Sequence, residues 1–302
     1  MEICEIIAPA ATHEGTDIEC PFCPAPKEKK DEFTTYPGAA KSESRLKDIM
    51  DDPLSLESKE SGARPKKGEP NQQQPASAKH HPEQPLEHPI FGAYTYEAHH
   101  LIPGTEKVAP KSATSVMSGH AIEKWIVKGD KIDRDSGYSI NNSDNGVWLP
   151  SAPKACKKNR ANPKPDRPWA SDAKAKKNPA ALTPDEKTEI ALYAMMKGKG
   201  QFHYGQHKVL DEEGKHYTYA KEVKDRLTAL EDYVAQWSTV CLCDEEQTTP
   251  PSPPFKPTWK INEKIDLISI WIEIDISLMP PNTWTYFIST LAMKAANRGT
   301  TL

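Results

Sequence analysis

Apolar residues recur at helical spacing in two stretches of the chain, and a third stretch carries helix start and stop signals. Tyr219, Val223, Leu227, Leu230, Val234 and Trp237 fall three and four apart, which gives a helix with one apolar face. Upstream, Thr183-Pro184-Asp185-Glu186 offers an N-cap threonine, a proline in the first turn and a glutamate at the capping-box position. The pattern predicts a helix from there through Met196, ended by Gly198 and Gly200. Beyond the proline-rich turn from Pro250 to Pro257, Ile261, Ile265, Ile268 and Ile272 fit a helix, whereas Ile270, Ile272, Ile274, Ile276 and Leu278 alternate as in a strand. Periodicity alone leaves both open, and the helical reading is preferred. Between these stretches, Gly137 to Ile140 gives a short strand signal, followed by a turn rich in Asn, Ser and Asp, then Asn145-Gly146 and the apolar run Val147-Trp148-Leu149.

Composition limits how much of the chain such elements can fill. The 302 residues can bury one good core or two small ones, but 28 of them are proline and 36% are hydrophobic. With a mean hydropathy of -0.72, much of the chain is expected to be irregular. Residues 61–89 hold six prolines, Gln72-Gln73-Gln74 and His80-His81, and read as an extended linker with no core of its own. His80, His81 and His88 are accordingly taken as linker residues rather than ligands. No basic-then-apolar leader pattern opens the chain and no apolar stretch is long enough to span a bilayer, so membrane insertion is not expected and export would use another route.

Candidate chemistry concentrates on histidines. In Tyr96-Glu97-Ala98-His99-His100-Leu101-Ile102-Pro103, two adjacent imidazoles could divide the work of metal-assisted phosphodiester cleavage, one holding a cation and one taking a proton from water. Side chains alternate across a strand, so such a pair needs a kink or a strand end, and Pro103-Gly104 supplies the break. In Gly200-Gln201-Phe202-His203-Tyr204-Gly205-Gln206-His207, two histidines four apart would share one face of a helix. Zinc peptidases use that spacing with a glutamate after the first histidine. Tyr204 stands there instead, so a peptidase would lack its base.

Ala98-His99-His100, then Asn145-Gly146-Val147-Trp148-Leu149-Pro150, then His203 and His207, in this order, resemble the AHH nucleases of the HNH and endonuclease VII superfamily. The resemblance covers about residues 91 to 237. It implies an α+β fold with a ββα-metal (His-Me finger) core and surrounding helices, and a metal-dependent endonuclease that leaves a 5′ phosphate and a 3′ hydroxyl. It further implies that His99 is a ligand, His100 the general base and Asn145 the buttress of the base loop. The histidine at the start of the finger helix would complete metal binding, which matches His207, with His203 a further ligand or phosphate contact. Many relatives carry a tyrosine three residues after the helix histidine. His216, three before Tyr219, fits that alternative phase, and His207 is preferred for its His-x-Gly-x-His context. The cation implied is divalent, Mg²⁺, Mn²⁺, Ni²⁺ or Zn²⁺. Such domains are commonly the toxic ends of bacterial effectors. The implied partners are therefore DNA, with RNA as the alternative, a cognate immunity protein and secretion-system components. The implied itinerary starts in the bacterial cytoplasm and ends, without a signal peptide, in a target cell.

Two further patterns bear on this reading. From Lys154 to Lys177 the chain carries nine basic residues, among them Lys157, Lys158 and Arg160, against two acidic ones, while the whole chain is at -4. A basic segment between the site motifs suits contact with a phosphate backbone. Cys20-Pro21-Phe22-Cys23 and Cys241-Leu242-Cys243 place four thiols in two close pairs, as a tetrahedral zinc site requires. A structural zinc on Cys20, Cys23, Cys241 and Cys243 would staple the early chain to the late chain, and suits a reducing compartment. The expected organisation is a knuckle-bearing segment over 1–60, the linker over 61–89, a nuclease core over 90–245 and an apolar segment over 246–302 that packs on the core. The rival reading is a zinc-stabilised module that binds nucleic acid or protein without catalysis.

Overall fold

The computed structural model describes residues 35–38, 46–47, 49–50, 79–84, 86–104, 116–153, 182–198, 200–204, 207–238, 253–255 and 261–299. All six cysteines, and Lys154, Lys157, Lys158 and Arg160, lie outside the described residues, and with them the thiolate zinc site and the basic segment.

Three strands, β1 (Glu87–His88), β2 (Gly92–His100) and β3 (Gly146–Pro153), form one sheet with β2 in the middle. β1 runs antiparallel to β2, with Glu87 opposite Ala93 and His88 opposite Gly92. Thr95 Oγ1 donates to the Ala152 carbonyl at 2.8 Å, adding a side-chain tie between β2 and β3. Among the described residues four α-helices follow, α1 (Pro184–Gly198), α2 (Thr218–Ser238), α3 (Ile261–Glu273) and α4 (Thr290–Gly299). The mixture of helices and a small sheet is the α+β composition expected from the sequence.

Local chemistry accounts for the helix limits. The Glu186 carboxylate accepts from Thr183 N and Thr183 Oγ1, and Glu186 N donates back to Thr183 Oγ1 at 3.2 Å, a reciprocal cap that starts α1. Tyr219, Val223, Leu227, Leu230 and Val234 are all buried along α2. The ambiguous isoleucine stretch is helical. Ile261, Ile265, Ile268, Ile272 and Ile276 are buried, while Ile270 is 39% exposed and Leu278 67% exposed, so the three-and-four spacing and not the alternation tracks burial. After Glu273 the turn widens into a π-helical segment, Ile274–Leu278.

The residues divide into two compact units. One contains the described residues within Met1–Ala78, together with His100–Gly146 and Ala220–Trp271. Its apolar interior includes Leu101, Ile102, Trp125, Tyr138, Ile140 and Leu227. In this unit the segment after His100 crosses closely over residues 37–38. A Cβ on Gly104 would stand 2.9 Å from Gly38 Cα and 3.0 Å from the Pro37 carbonyl oxygen, backbone atoms that cannot move aside. The other unit contains Lys79–His99, Val147–Tyr219 and Ile272–Leu302. Its core gathers Tyr94 and Ala152 from the sheet, Ile190, Leu192 and Met195 from α1, and Ala292 and Ala295 from α4, with Phe202.

The linker expected over 61–89 is structured at its end. Residues 87–88 are paired in the sheet, and the Lys79 ammonium contacts the Glu273 carboxylate at 2.5 Å. His88 is buried because its ring works as a turn cap, Nδ1 accepting from Ile90 N at 3.1 Å and Phe91 N at 3.3 Å. His120 acts likewise in the other unit, Nδ1 accepting from Ile122 N at 3.1 Å at the start of the short 3-10 helix Ala121–Trp125.

Burial holds both rings below the ordinary imidazole pKa, reinforced at His120 by Lys224 and opposed there by Glu231, and opposed at His88 by Glu189. A folded-state pKa below the unfolded value means that the unfolded chain binds more protons. The stabilisation is therefore present above about pH 6.5 and lost as pH falls through and below it. We expect His120→Asn, which keeps a capping oxygen without a titrating ring, to show a smaller fall in Tm between pH 7.5 and pH 5 than the wild type. An identical fall in both proteins would remove His120 as a source of the acid sensitivity.

Candidate metal centre and base

β2 carries Glu97, Ala98, His99 and His100 as its last four residues, so the histidine pair sits at a strand end. Alternation along the strand puts Glu97 and His99 on one face. His99 is 8% exposed, and its Nδ1 stands 3.0 Å from His203 Nε2. The rings of His99, His203 and His207 lie with centroids 4.8 to 6.1 Å apart, and one ligand atom from each falls within 4.8 Å of the others. The Tyr219 ring closes on His99 at a centroid distance of 5.3 Å.

The spacing of His203 and His207 predicts a helix, and the structure differs. Residues 201–204 and 207 are irregular, and α2 begins only at Thr218, so His207 lies in the loop before it. The cause is that the backbone there serves other partners. His203 N donates to the Pro150 carbonyl at 2.8 Å on β3, and Gln201 N to the Ile276 carbonyl at 2.7 Å. The segment is held further by buried Gln201, which donates from Nε2 to the Tyr286 carbonyl and accepts from Ile288 N, and by Ser289 Oγ donating to the Phe202 carbonyl at 2.6 Å. His216 falls in the turn between Leu210 and Tyr217 and is not part of the cluster.

The donor set fits a cation. Two imidazole nitrogens bound at about 2.1 Å from one ion, at angles between tetrahedral and octahedral, stand about 3.0–3.4 Å apart. The His99–His203 separation already has that value. His207 is held down to about 4 by burial and by neighbouring His203, with Glu97 opposing, so its ring is neutral at pH 7 and offers a lone pair rather than a proton. His203 Nδ1–H donates to the Glu97 carboxylate at 3.2 Å, which fixes the tautomer with the lone pair on Nε2, towards His99. Glu97 was missed in reading the sequence, although its place two residues before His99 on a strand was the available signal. We expect Glu97→Ala to weaken cation affinity by about 10- to 100-fold without unfolding the protein, since the carboxylate is 40% exposed. Calorimetric titration measures this, and an unchanged affinity would make Glu97 only a surface partner of His203.

His100 belongs to the other unit and is held differently. Its Nε2 pairs with Asn141 Oδ1 at 2.9 Å. As an N–H donor to the amide oxygen, Nε2 leaves the ring lone pair on Nδ1. Asn145 is 0% exposed, and its amide is saturated by protein: Oδ1 accepts from Ile102 N at 2.7 Å and Ser269 Oγ at 3.0 Å, while Nδ2 donates to the Ile102 carbonyl at 3.0 Å and the Ile140 carbonyl at 2.9 Å. Its own carbonyl accepts from Leu101 N. Ile102 is two residues after His100 and Ile140 is one before Asn141, so Asn145 pins the backbone on both sides of the His100–Asn141 pair.

A histidine cluster fed by a strand end, with a second, separately oriented histidine next in the chain, is the equipment of a metal-assisted hydrolase. Residues 86–248 match AHH, described as a nuclease family of the HNH/ENDO VII superfamily with conserved AHH. The match covers more than half of the chain, and the protein belongs to this family of nucleases, whose Ala-His-His is present as Ala98-His99-His100. A nucleic acid is accordingly its class of substrate. No curated protein and no solved structure matches the chain.

Proposed function

We propose that the protein is a metal-dependent endonuclease that hydrolyses phosphodiester bonds, DNA in preference to RNA, with a ββα-metal finger at its core. The observation that carries the reading is the convergence of His99, His203 and His207 directly before His100 in the chain. His99, His203 and His207 hold a divalent cation, and Glu97 orients His203. All three donors are nitrogens, which favours Ni²⁺ or Zn²⁺ over Mn²⁺ and disfavours Mg²⁺, an ion that prefers oxygen. When bound, the cation supplies positive charge against the negative charge that grows on the phosphate oxygens.

The protein's own groups do the rest. His100, oriented by Asn141, takes a proton on Nδ1 from the attacking water as its oxygen bonds to phosphorus. The P–O bond to the leaving oxygen breaks, leaving a 5′ phosphate and a 3′ hydroxyl, the latter protonated from solvent. Asn145 acts as a positioning residue, since its amide is fully engaged by protein. Lys154, Lys157, Lys158 and Arg160 track the substrate backbone. A structural zinc on Cys20, Cys23, Cys241 and Cys243 completes the proposed architecture.

We further propose that the protein is an antibacterial effector, delivered through a secretion system and neutralised by an immunity protein. Among the described residues, no helix is long and apolar enough to cross a membrane. The test is degradation of plasmid and of RNA by purified protein with and without EDTA, together with viability of bacteria expressing it. We expect EDTA-sensitive plasmid cleavage and loss of viability that His100→Ala relieves. Nucleic-acid binding without cleavage under any cation would establish the non-catalytic module instead.

A further inference from the structure

Helix α3 begins 13 residues after the last one matched by the family, yet it reaches the loop behind His100 at two points. Ser269, 0% exposed, donates from Oγ to Asn145 Oδ1 at 3.0 Å, a better acceptor than the Ile265 carbonyl one turn back at 3.5 Å. One turn earlier, Asp266 accepts from Asn142 Nδ2 at 3.4 Å. Asn142 in turn accepts from Asn145 N through Oδ1 at 2.8 Å. All of these residues lie within one unit.

We infer that Ser269 is a positioning residue for His100, acting through Asn145, and that α3 is a working part of the nuclease although it lies outside the matched region. The inference rests on the assignment of His100 as the base. Asn145 can hold Ile102 and Ile140 in register only while its amide plane is fixed. Oδ1 has two acceptor sites, one for Ile102 N and one for the serine. Without the hydroxyl, the amide keeps three bonds and the fold survives, but the plane is free to rock. That motion passes to Ile102 and Ile140, which flank the His100–Asn141 pair. Misplacement of a catalytic group by a fraction of an ångström costs rate, not affinity. A serine that only satisfied packing would instead lower stability and leave the chemistry untouched.

The full-length protein should be compared with Ser269→Ala, Ser269→Cys, which keeps a weak donor of similar size, and Ser238→Ala. The last removes a buried hydroxyl from α2 that, among the described residues, bonds the Ala235 carbonyl one turn back. We expect Ser269→Ala to lower kcat roughly tenfold, with KM and cation affinity changed by less than about twofold. Ser269→Cys should recover part of the loss, and Ser238→Ala should show none. The ¹⁵N resonances of the His100 ring, read without cation, should report one tautomer in the wild type and a mixture in Ser269→Ala. Unchanged kcat and unchanged ring resonances in Ser269→Ala overturn the inference, as does an equal loss in Ser238→Ala. A wild type that cleaves nothing under any cation would refute the nuclease reading rather than this one. The ring resonances would then decide the positioning role by themselves.

Discussion

His100→Ala is expected to lower cleavage by about 100- to 10,000-fold while leaving the fold and the cation affinity close to wild type. The separation of effects follows from where the ring is bound. The His100 ring pairs with Asn141, in a unit other than that of His203 and His207, so its removal deletes no member of the histidine cluster. Nor does it touch the Asn145 amide, which grips the neighbouring backbone and not the ring. Steady-state cleavage of plasmid at neutral pH, alongside cation titration and a thermal melt, checks all three expectations. A variant that kept more than about a tenth of wild-type activity would have its base elsewhere.

The histidine trio, the His100–Asn141 pair and the Asn145 clamp were not equally legible in the sequence. Ala98-His99-His100, Asn145 and His207 stand in local motifs, so pattern was enough to mark them as candidates. The capping box at Thr183 and Glu186 and the apolar face of α2 were legible for the same reason, because they depend on neighbours within a few residues. Asn141 and Ser269 were not. Each is defined by a partner 41 and 124 residues away, and nothing in the spacing of serines or asparagines marks which of them a fold will bring together. The geometry of His203 and His207 shows a different limit. Their spacing suited a helix, but the bond from His203 N to Pro150 on β3 took the backbone group a helix would need, and the loop brought the rings together without one. The isoleucines from 261 to 278 satisfied two periods at once, and only burial, with Ile270 and Leu278 outward, separated them.

Removal of a ring from the trio should have the opposite signature to His100→Ala. We expect His99→Ala and His207→Ala each to weaken cation affinity by at least about 100-fold, beyond the loss typical of an orienting partner, and to abolish cleavage at micromolar cation. His207 is the more telling of the two. Its ring is kept neutral by burial and by His203, and with the group held at about 4 a proton competes with the cation for its lone pair only in acid. Calorimetric titration of wild type should rank Ni²⁺ and Zn²⁺ above Mn²⁺ and all three above Mg²⁺, and that ranking should flatten in His207→Ala as nitrogen donors are lost. His216→Ala, with its ring outside the cluster, should titrate as wild type. Unchanged affinity in His207→Ala with loss in His216→Ala would move the ligand to the later histidine, and Tyr219, three residues after His216 and in ring contact with His99, would then mark the helix start that the metal uses.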